Sequence, residues 1–326
     1  MLVDNHGRVI NYLRLAVTDR CNLRCFYCMP ESGIKYANRE DLLTFEEMER
    51  LLYIFSALGI SKLRITGGEP FVRKGIMEFL KKASHIPEIN EINITTNGTF
   101  TSDKVHQLEK LGIKSVNLSL DSLDKNRFFG ITRRNEFNNV MKTFDCLLSS
   151  SIKVKINMVV MDGRNIEDLL PMVELTRNSD VSVRFIEEMP FNGTVGMGNT
   201  TIWRASRILD HISQTYELKK LIDPPSSTSQ NYQPLGHMGN IGVIAAYTRT
   251  FCGSCNRIRL TPQGVLRTCL YSNAGVNFRD VIRSGASDKV ISDKLIRTIG
   301  QRAKDGFEAE RLRDHDVSES MATIGG

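Results

Sequence analysis

Three cysteines, Cys21, Cys25 and Cys28, lie close together near the start of the chain with the spacing C-x3-C-x2-C. Thiolates are common ligands of zinc and of iron–sulfur clusters in proteins. A structural zinc site usually takes four ligands, but no fourth Cys or His lies nearby, and the closest preceding histidine is His6. The spacing therefore favours a [4Fe–4S] cluster with one iron open to another ligand over a zinc site or three unrelated thiols.

A second cysteine triplet, Cys252, Cys255 and Cys269, has the spacing C-x2-C-x13-C. The turn TPQG at 261–264 has Pro at its second position and Gly at its fourth, as a type I turn prefers. The flanking runs NRIRL and VLRTCL are therefore expected to form a hairpin that returns Cys269 close to Cys255. Since no fourth cysteine follows, the pattern predicts a second metal site with an open position.

Two arginines, Arg257 and Arg259, stand beside this second triplet. Side chains two apart on a strand share a face, so both guanidinium groups project together. They could be exposed arginines on a polar strand face. Next to an open iron, an anion-binding role is favoured, because guanidinium forks bind phosphate with two hydrogen bonds. The net charge of +6 is mild and not concentrated in one block, which is typical of a solvated surface or of a site for an acidic small molecule. A nucleic-acid platform would need a basic face or stripe, and no nucleic-acid partner is expected.

Short β-like runs alternate with longer helical stretches from residue 10 to about 190. The expected strands are 12–18, 62–66, 91–96, 114–120, 153–160 and 182–187, and the expected helices are 45–58, 72–84, 102–111, 136–149 and 165–178. Alternating strands and helices predict an α/β fold with a parallel sheet. Six such strands could form an open doubly wound sheet or an incomplete barrel.

Residues with chemical potential gather where the predicted strands end. CNLRC follows the first strand, GGEP the second, TTNG the third, and SLDS spans the end of the fourth. In α/β folds, ligands bind outside the carboxyl ends of the strands. One shared site at this edge of the sheet is therefore expected.

The chain of 326 residues is long enough for two domains, with 41% apolar and 25% charged residues as in ordinary globular proteins. A helix is expected near 202–218, and the run DPPSSTSQNYQP at 223–234 is typical of a loop or linker. An apolar strand at 241–247, the second triplet and a charged helical end follow. We predict a barrel domain over 1–220 and a C-terminal region over 221–326 that carries the second cluster.

The expected location is the cytoplasm. The first residues show no signal peptide, and no apolar stretch approaches the length of a membrane helix. Clustered cysteines in a reducing compartment indicate metal binding or catalysis rather than disulfides. The remaining thiol, Cys146, lies in an apolar helical stretch and is expected to be buried in the core.

The first triplet resembles that of the radical S-adenosylmethionine (SAM) superfamily, in which an aromatic residue precedes the third cysteine and GGEP follows the second strand. The resemblance implies that the open iron binds the amino and carboxylate groups of SAM. An electron from the cluster then cleaves the sulfonium and yields a 5′-deoxyadenosyl radical. The SAM contacts implied by position are Tyr27, Gly68, Ser119 and Met189.

Nearly the whole chain is similar to the GTP 3′,8-cyclase family, through CNLRCFYCMP, RITGGEP, TTNG, SLDS, RFIEEMP, CGSCNRIRLTPQG and the final IGG. The resemblance implies an incomplete TIM-type (βα)6 barrel, with two [4Fe–4S] clusters and GTP between them. It also implies that the guanine is held at the open iron of the second cluster. A Walker A motif is missing from the sequence, so scattered cations would bind the triphosphate. The implied GTP contacts are Arg14, Arg64, Thr95, Lys155, Arg257, Ile258 and Arg259.

The resemblance also implies the reaction and the partners. Loss of the C3′ hydrogen from GTP and attack on C8 of the guanine would give 3′,8-cyclo-7,8-dihydro-GTP, the first intermediate of the molybdenum cofactor pathway. An external electron donor and a downstream cyclic pyranopterin monophosphate synthase are implied, without a membrane partner, and a homodimer is left open. The alternatives are a radical SAM enzyme that modifies peptides and a zinc-binding interaction protein.

Two segments carry narrower expectations. In the resembling family the double-glycine tail enters the active-site pocket, so the tail at Gly325 and Gly326 is expected to line the GTP site rather than form a frayed end. Met321 and Ile324, three residues apart, could anchor it to an apolar surface. RFIEEMP and the longer loop after it match one subgroup of the family, and this leaves the contacts of loop 190–200 open.

Overall fold

Six parallel strands form the first half of the molecule. The protein is described here from a computed structural model over residues 1–189, 203–272, 275–313 and 320–325. Each strand pairs in parallel with the next one along the chain, as expected for an incomplete barrel, and the predicted α/β class is confirmed. The strands are β1 Tyr12–Ala16, β2 Lys62–Thr66, β3 Glu91–Thr96, β4 Ser115–Ser119, β5 Lys153–Val160 and β6 Ser182–Glu187.

Helices connect these strands, and local capping fixes where two of them begin. Before the first helix, the Thr44 hydroxyl accepts a hydrogen bond from the Glu47 amide, and the Glu47 carboxylate accepts one from the Thr44 amide. The fourth helix is absent from the sequence prediction, although Asp124 caps it by accepting from the Asn126 and Arg127 amides. The helices are α1 Phe45–Ala57, α2 Ile76–Ala83, α3 Val105–Lys110, α4 Lys125–Thr132, α5 Phe137–Leu148 and α6 Leu169–Glu174.

The C-terminal half extends the same sheet at both edges. The strand order is β12-β11-β10-β1-β2-β3-β4-β5-β6-β9-β8-β7, in which β10 pairs in parallel with β1 and β9 pairs in parallel with β6. Strands on both sides of the predicted boundary near residue 220 therefore belong to one sheet. The elements are α7 Ala205–Ser213, β7 Leu218–Lys220, β8 Ser229–Pro234, β9 Asn240–Ile244, β10 Arg257–Leu260, β11 Val265–Arg267, β12 Val276–Asn277, α8 Phe278–Arg283, α9 Asp288–Ile299, α10 Gly306–Arg311 and α11 Met321–Ile324.

The prediction of a loop over 223–234 is wrong for its second part. Residues Ser229–Pro234 form β8, which pairs antiparallel with β9 through Tyr232 and Ile241. The strand has only one apolar side chain between its ends, because it lies outside the barrel next to the sheet edge. Its structure is determined by its pairing with β9, which the composition of the segment itself does not predict.

Side-chain alternation along the barrel strands separates the core from the interior of the barrel. On β1 and β2, Leu13, Leu15 and Ile65 are fully buried in the main hydrophobic cluster, while the intervening Arg14 and Arg64 face the barrel interior. Cys146 is only partly buried and packs against this cluster. In the described part of the chain, no helix is both long and apolar enough to cross a membrane.

Candidate active site

A cavity of about 510 Å3 occupies the barrel interior and the carboxyl ends of its strands. This volume lies in the range of small-molecule sites. The cavity is lined by residues from all six barrel strands, from β10, from the loops that carry the two cysteine triplets, and from α11. The shared site expected from the strand ends is therefore present as one continuous space.

The first triplet lies on the loop after β1, and all three of its cysteines line the cavity. Burial, followed by the charge of Glu69, raises the pKa of Cys21 to about 12. Burial raises the pKa of Cys28 to about 11 and holds the pKa of Cys25 well above its usual value. The amide of Asn97, from the TTNG run, donates to the Cys21 sulfur at 3.6 Å. Buried thiols of this kind bind as thiolates only next to a strongly positive group.

The GGEP motif is fixed against the loop that leads into the first triplet. The Gly68 amide donates to the Thr18 carbonyl and the Glu69 amide to the Arg20 carbonyl, both at 2.8 Å. A Cβ on Gly68 would stand 2.3 Å from the Arg20 carbonyl oxygen, so no larger residue fits there. The buried Glu69 carboxylate accepts hydrogen bonds from the Thr96 hydroxyl and from the backbone amide of Asn97. The motif therefore joins the ends of β1, β2 and β3.

The other residues predicted for SAM also line the cavity. Tyr27 donates its hydroxyl to Asp121 at 2.8 Å, and Asp121 in turn accepts from the Val159 amide. Burial, followed by the charge of Asp121, raises the pKa of Tyr27 well above its usual value. Ser119, the last residue of β4, and Met189, two residues after β6, lie at the cavity wall. The loop 190–200, whose contacts the sequence leaves open, lies outside the described residues.

The second triplet meets the same cavity from the C-terminal half. Strands β10 and β11 form the predicted hairpin, and Cys252, Cys255 and Cys269 all line the cavity. Cys255 differs from the other five triplet cysteines. Burial acts to raise its pKa, but the charges of Arg302 and Arg257 prevail and lower it.

Both triplets fit an iron–sulfur cluster by the chemistry of their donors: each gathers three thiols at one wall of the cavity. Among the residues that the structure describes, no group of three or more His, Cys, Asp or Glu side chains is placed to hold a single metal ion. Cysteines on a cluster bind different irons and stand further apart than the ligands of one ion.

Three arginines lie side by side across the barrel strands. In the strand register Arg14 pairs with Arg64 on one side and with Arg259 on the other. The Arg64 Nε atom donates to the Tyr12 hydroxyl at 2.5 Å. Burial acts to raise the pKa of Tyr12, but Arg64 and Arg14 prevail and lower it to about 8. Because like charges in register destabilise a sheet, this row of arginines favours a bound polyanion.

Two further cations face the row from β5 and β6. Burial, followed by the charge of Arg184, lowers the pKa of Lys155 to about 7. Burial, followed by the charge of Arg64, lowers the pKa of Arg184 to about 10. The Arg184 Nε atom is buried and has no hydrogen-bond partner in the described part of the chain. Thr95 lies at the same wall, where its hydroxyl accepts from Arg64 at 3.4 Å.

The structure brings Arg257 and Arg259 into the cavity, but it does not bring the Ile258 side chain there. Arg257 donates to the Ser226 carbonyl at 2.5 Å, and Arg259 donates to the Gly325 carbonyl. Ile258 is fully buried in the main hydrophobic cluster on the other face of β10, because side chains alternate along a strand. A contact of Ile258 with a ligand in the cavity would have to come from its backbone.

The C-terminal segment 320–325 also reaches the site. The Ser320 hydroxyl donates to the Cys28 carbonyl at 2.6 Å, and Met321 and Ala322 line the cavity. Gly325 has a φ of +78°, and a Cβ there would stand 2.7 Å from the Ala16 Cβ atom. Gly326 lies outside the described residues.

Several residues at the site are missing from the sequence prediction: Asn97, Asp121, Arg184 and Arg302. Asn97, Asp121 and Arg184 belong to the motifs TTNG, SLDS and RFIEEMP, so their position near strand ends was an available signal. Arg302 follows α9 in a run without a motif, and only the tertiary structure brings it to Cys255.

The parallel barrel with three cysteines after its first strand defines the class of protein. Residues 15–176 match the Radical SAM superfamily, and residues 181–308 match Molybdenum Cofactor Synthesis C. A crystal structure of Streptococcus suis SuiB shares the fold, with a TM-score of 0.61, 16% identity, and coverage of 84% of this chain and 65% of that one.

Proteins of similar sequence identify the family within this class. The chain is 39% identical to the mitochondrial GTP 3′,8-cyclase of Arabidopsis thaliana, over 100% of this chain and 84% of the relative. It is 40% identical to the GTP 3′,8-cyclase of Syntrophomonas wolfei, over 91% and 92%. Molybdenum cofactor biosynthesis protein 1 of Dictyostelium discoideum is 40% identical over 89% of this chain, which spans only 46% of that longer protein. The chain belongs to the GTP 3′,8-cyclase family of radical SAM enzymes.

Proposed function

We propose that this chain cyclises GTP to 3′,8-cyclo-7,8-dihydro-GTP, the first step of molybdenum cofactor biosynthesis. The observation that carries the proposal is the row of Arg64, Arg14 and Arg259 between the two cysteine triplets. Arg64 and Arg259 form no ion pair within the described ranges, so their charges call for an anion that enters the cavity. A nucleoside triphosphate supplies that anion, and its base and sugar fill the space between the triplets.

The triphosphate is assigned to the wall formed by β2, β5 and β6. Arg64, Lys155 and the half-buried Arg184 present their cationic groups to this part of the cavity. Charge-assisted hydrogen bonds from guanidinium and ammonium groups to phosphate are among the strong ones in proteins. Thr95 adds a hydroxyl at the same wall.

SAM is assigned to the wall formed by the first triplet, the GGEP motif, Ser119 and Met189. Cys21, Cys25 and Cys28 would hold the first [4Fe–4S] cluster. When bound, the cluster and SAM together supply a carbon-centred radical that can remove a hydrogen atom from an unactivated C–H bond. The protein orients the ligands: Gly68 allows close approach of the backbone, and Tyr27 is fixed by Asp121.

The second triplet is assigned to a second [4Fe–4S] cluster, held by Cys252, Cys255 and Cys269, whose open iron would hold the guanine. Arg257, Arg259 and the backbone of Ile258 are assigned to GTP on the adjoining strand. Tyr12 and Arg14 lie between this wall and the triphosphate wall. Positioning the ribose between the two walls is the main task of the protein, because a radical acts on whichever bond is closest.

The proposal extends to the surroundings of the enzyme. An external electron donor is needed because reductive cleavage of SAM consumes an electron, and a cyclic pyranopterin monophosphate synthase would take the product. Seven cysteines without a disulfide in the described structure support a reducing compartment, which we take to be the cytoplasm.

Isotope transfer tests the reaction directly. The full chain, reconstituted without oxygen, is incubated with SAM, a reductant and GTP that carries deuterium at C3′. We expect deuterium in the 5′-deoxyadenosine product and a cyclised nucleotide by mass spectrometry.

An Arg14→Ala variant provides the control. Its first cluster and its uncoupled SAM cleavage should persist, while cyclisation falls at least about tenfold, as expected from losing one charged hydrogen bond. Uncoupled cleavage by the unsubstituted chain, with no deuterium transfer from GTP and no cyclised product, would contradict the proposed function.

A further inference from the structure

Arg302 is a buried cation beside the second triplet that the proposed reaction does not use. Its side chain is 3% exposed, and it follows α9 in the chain. The Nη2 atom lies 3.0 Å from the Cys255 sulfur, and the Nη1 atom donates to the Cys255 carbonyl at 2.9 Å. One guanidinium group therefore holds both the sulfur and the backbone of a single cysteine. A charge buried this deeply is costly to place unless it is paired and bonded.

The counter-charge comes from the start of the chain. The Asp4 side chain is fully buried, and its carboxylate lies 2.6 Å from the Arg8 Nε atom and 3.7 Å from the Arg302 Nη1 atom. Val3 and Val9 pair as an isolated antiparallel bridge around it. The His6 ring contacts the Arg302 carbonyl at 3.0 Å. We call residues 3–9 the N-terminal hairpin.

Arg8 connects this hairpin to the triplet as well. Its guanidinium group donates to the Cys252 carbonyl at 3.1 Å, the Ala303 carbonyl at 2.9 Å and the Lys304 carbonyl at 2.6 Å. The hairpin thus holds the loop of the triplet and the segment that carries Arg302 in one arrangement. It lies outside both matched family ranges, which begin at residues 15 and 181.

The hydrogen bonds of this network distinguish Cys255 from the other triplet cysteines. Within the described residues, Cys255 is the triplet cysteine whose sulfur accepts a hydrogen bond from a charged side chain, while the side chain that donates to the Cys21 sulfur is the neutral amide of Asn97. Hydrogen bonds to cluster sulfurs and nearby positive charge stabilise the reduced, more negative form of an iron–sulfur cluster.

We propose that Arg302, oriented by Asp4 and the N-terminal hairpin, is a positioning residue for the second cluster. Through its contact with Cys255, it raises the reduction potential of that cluster. The inference rests on the second cluster of the proposed function. It adds a residue far from the triplet in sequence to the determinants of that site. The carboxylate of Asp4 keeps the guanidinium from turning toward the other anions that enter the cavity.

A redox titration tests the inference. The full chain is prepared with Cys21, Cys25 and Cys28 replaced by Ala, so that only the second cluster contributes an electron paramagnetic resonance signal. In this background Arg302→Met should retain the cluster iron and shift its midpoint potential to a more negative value. Arg302→Lys keeps a positive charge and should restore more than half of that shift.

Arg249→Met is the matched control. Arg249 is also buried near the second triplet, where it pairs with Glu310 and donates to the Gly306 carbonyl. Among the residues that the structure describes, it makes no hydrogen bond to a cysteine sulfur. A loss that is only structural would lower thermal stability in both Met variants, while the potential should move only in the Arg302 variant.

The two possible failures are distinguishable. If the background chain binds no iron, the second cluster is wrong and the inference falls with it. If the background chain binds the cluster and Arg302→Met titrates at the same potential, the inference is wrong while the second cluster stands. If the Met variant does not fold, the midpoint potential of Arg302→Lys is compared with that of the neutral Arg302→Gln variant. Equal potentials in these two variants would also overturn the inference.

Discussion

Lys155 is the cavity cation whose charge changes most readily near neutral pH. Burial, followed by the charge of Arg184, lowers its pKa to about 7, so a part of the ligand-free protein carries a neutral lysine at that pH. A bound triphosphate favours the charged form, and binding therefore takes up a proton. We expect GTP affinity to fall as the pH rises from about 7 to about 9, by a total near that of one charged hydrogen bond, roughly 1.5–3 kcal/mol.

Isothermal titration calorimetry in buffers of different ionisation enthalpy would measure this proton uptake. Lys155→Met should bind GTP more weakly and lose most of the pH dependence. Lys153→Met is the matched control, because Lys153 lies two positions earlier on β5 and is exposed. Equal pH dependence in the Lys155→Met variant and the unsubstituted chain would show that another group takes up the proton.

Substitutions in the two cysteine triplets should affect different steps of the reaction. Cys25→Ala removes a proposed ligand of the first cluster, and we expect it to abolish reductive SAM cleavage. Cys255→Ala should leave uncoupled SAM cleavage detectable and eliminate GTP cyclisation, because the second triplet lies on other loops of the cavity than the first triplet, to which SAM is assigned. Quantifying 5′-deoxyadenosine and cyclised nucleotide in the same reaction separates the two. Cyclisation by a Cys255→Ala protein with an intact first cluster would contradict the assignment.

At the scale of elements, the tail segment 320–325 joins the two halves of the site. Ser320 binds the first cysteine loop through the Cys28 carbonyl, and the Gly325 carbonyl accepts from Arg259 on β10. Gly325→Ala should lower cyclisation sharply, because its Cβ would stand 2.7 Å from the Ala16 side chain and 2.8 Å from the Thr66 hydroxyl. Cluster content and uncoupled SAM cleavage should persist.

Gly285→Ala separates crowding from backbone strain. Gly285 also has a positive φ, of +82°, but in the described part of the chain no atom beyond its own neighbours in sequence lies within 4 Å of the position that its Cβ would take. We expect this variant to lose some stability and to keep its cyclisation rate. Comparable turnover in the two alanine variants would mean that the tail does not shape the substrate pocket.

The elements differ in how far the sequence determines them. Strands β2, β3, β5 and β6 begin and end where the sequence predicts, because buried apolar runs between turn residues are a local signal. Helix α4 is short, and β8 is polar, so neither shows the periodicity that identifies a buried face. At the site, motifs at strand ends predict the residues that line the cavity, whereas Arg302 and Asp4 meet only through contacts between distant segments.

At the scale of the whole molecule, the two predicted domains share one sheet. A fragment 1–220 would lack β9 and β10 and would expose one edge of β6 and one edge of β1. The apolar residues Val243 and Leu260, which are buried in the main cluster, would be missing as well. We expect this fragment to aggregate, because uncovered strand edges pair with other chains. Size-exclusion chromatography of the fragment checks this, and a stable monomer would show that the barrel folds alone.

The pairing of β1 with β10 also means that two neighbouring strands of the sheet are synthesised at different times. The side chains of Asn11 and Asn256, at the ends of the two strands, bond to each other although they lie 245 positions apart. At roughly 5–20 residues per second, the ribosome makes the second partner some ten to fifty seconds after the first. During that interval Arg14 has one neighbouring strand instead of two, and the wall that carries Arg259 does not yet exist. The two walls of the cavity therefore stand together only after β10 has been synthesised.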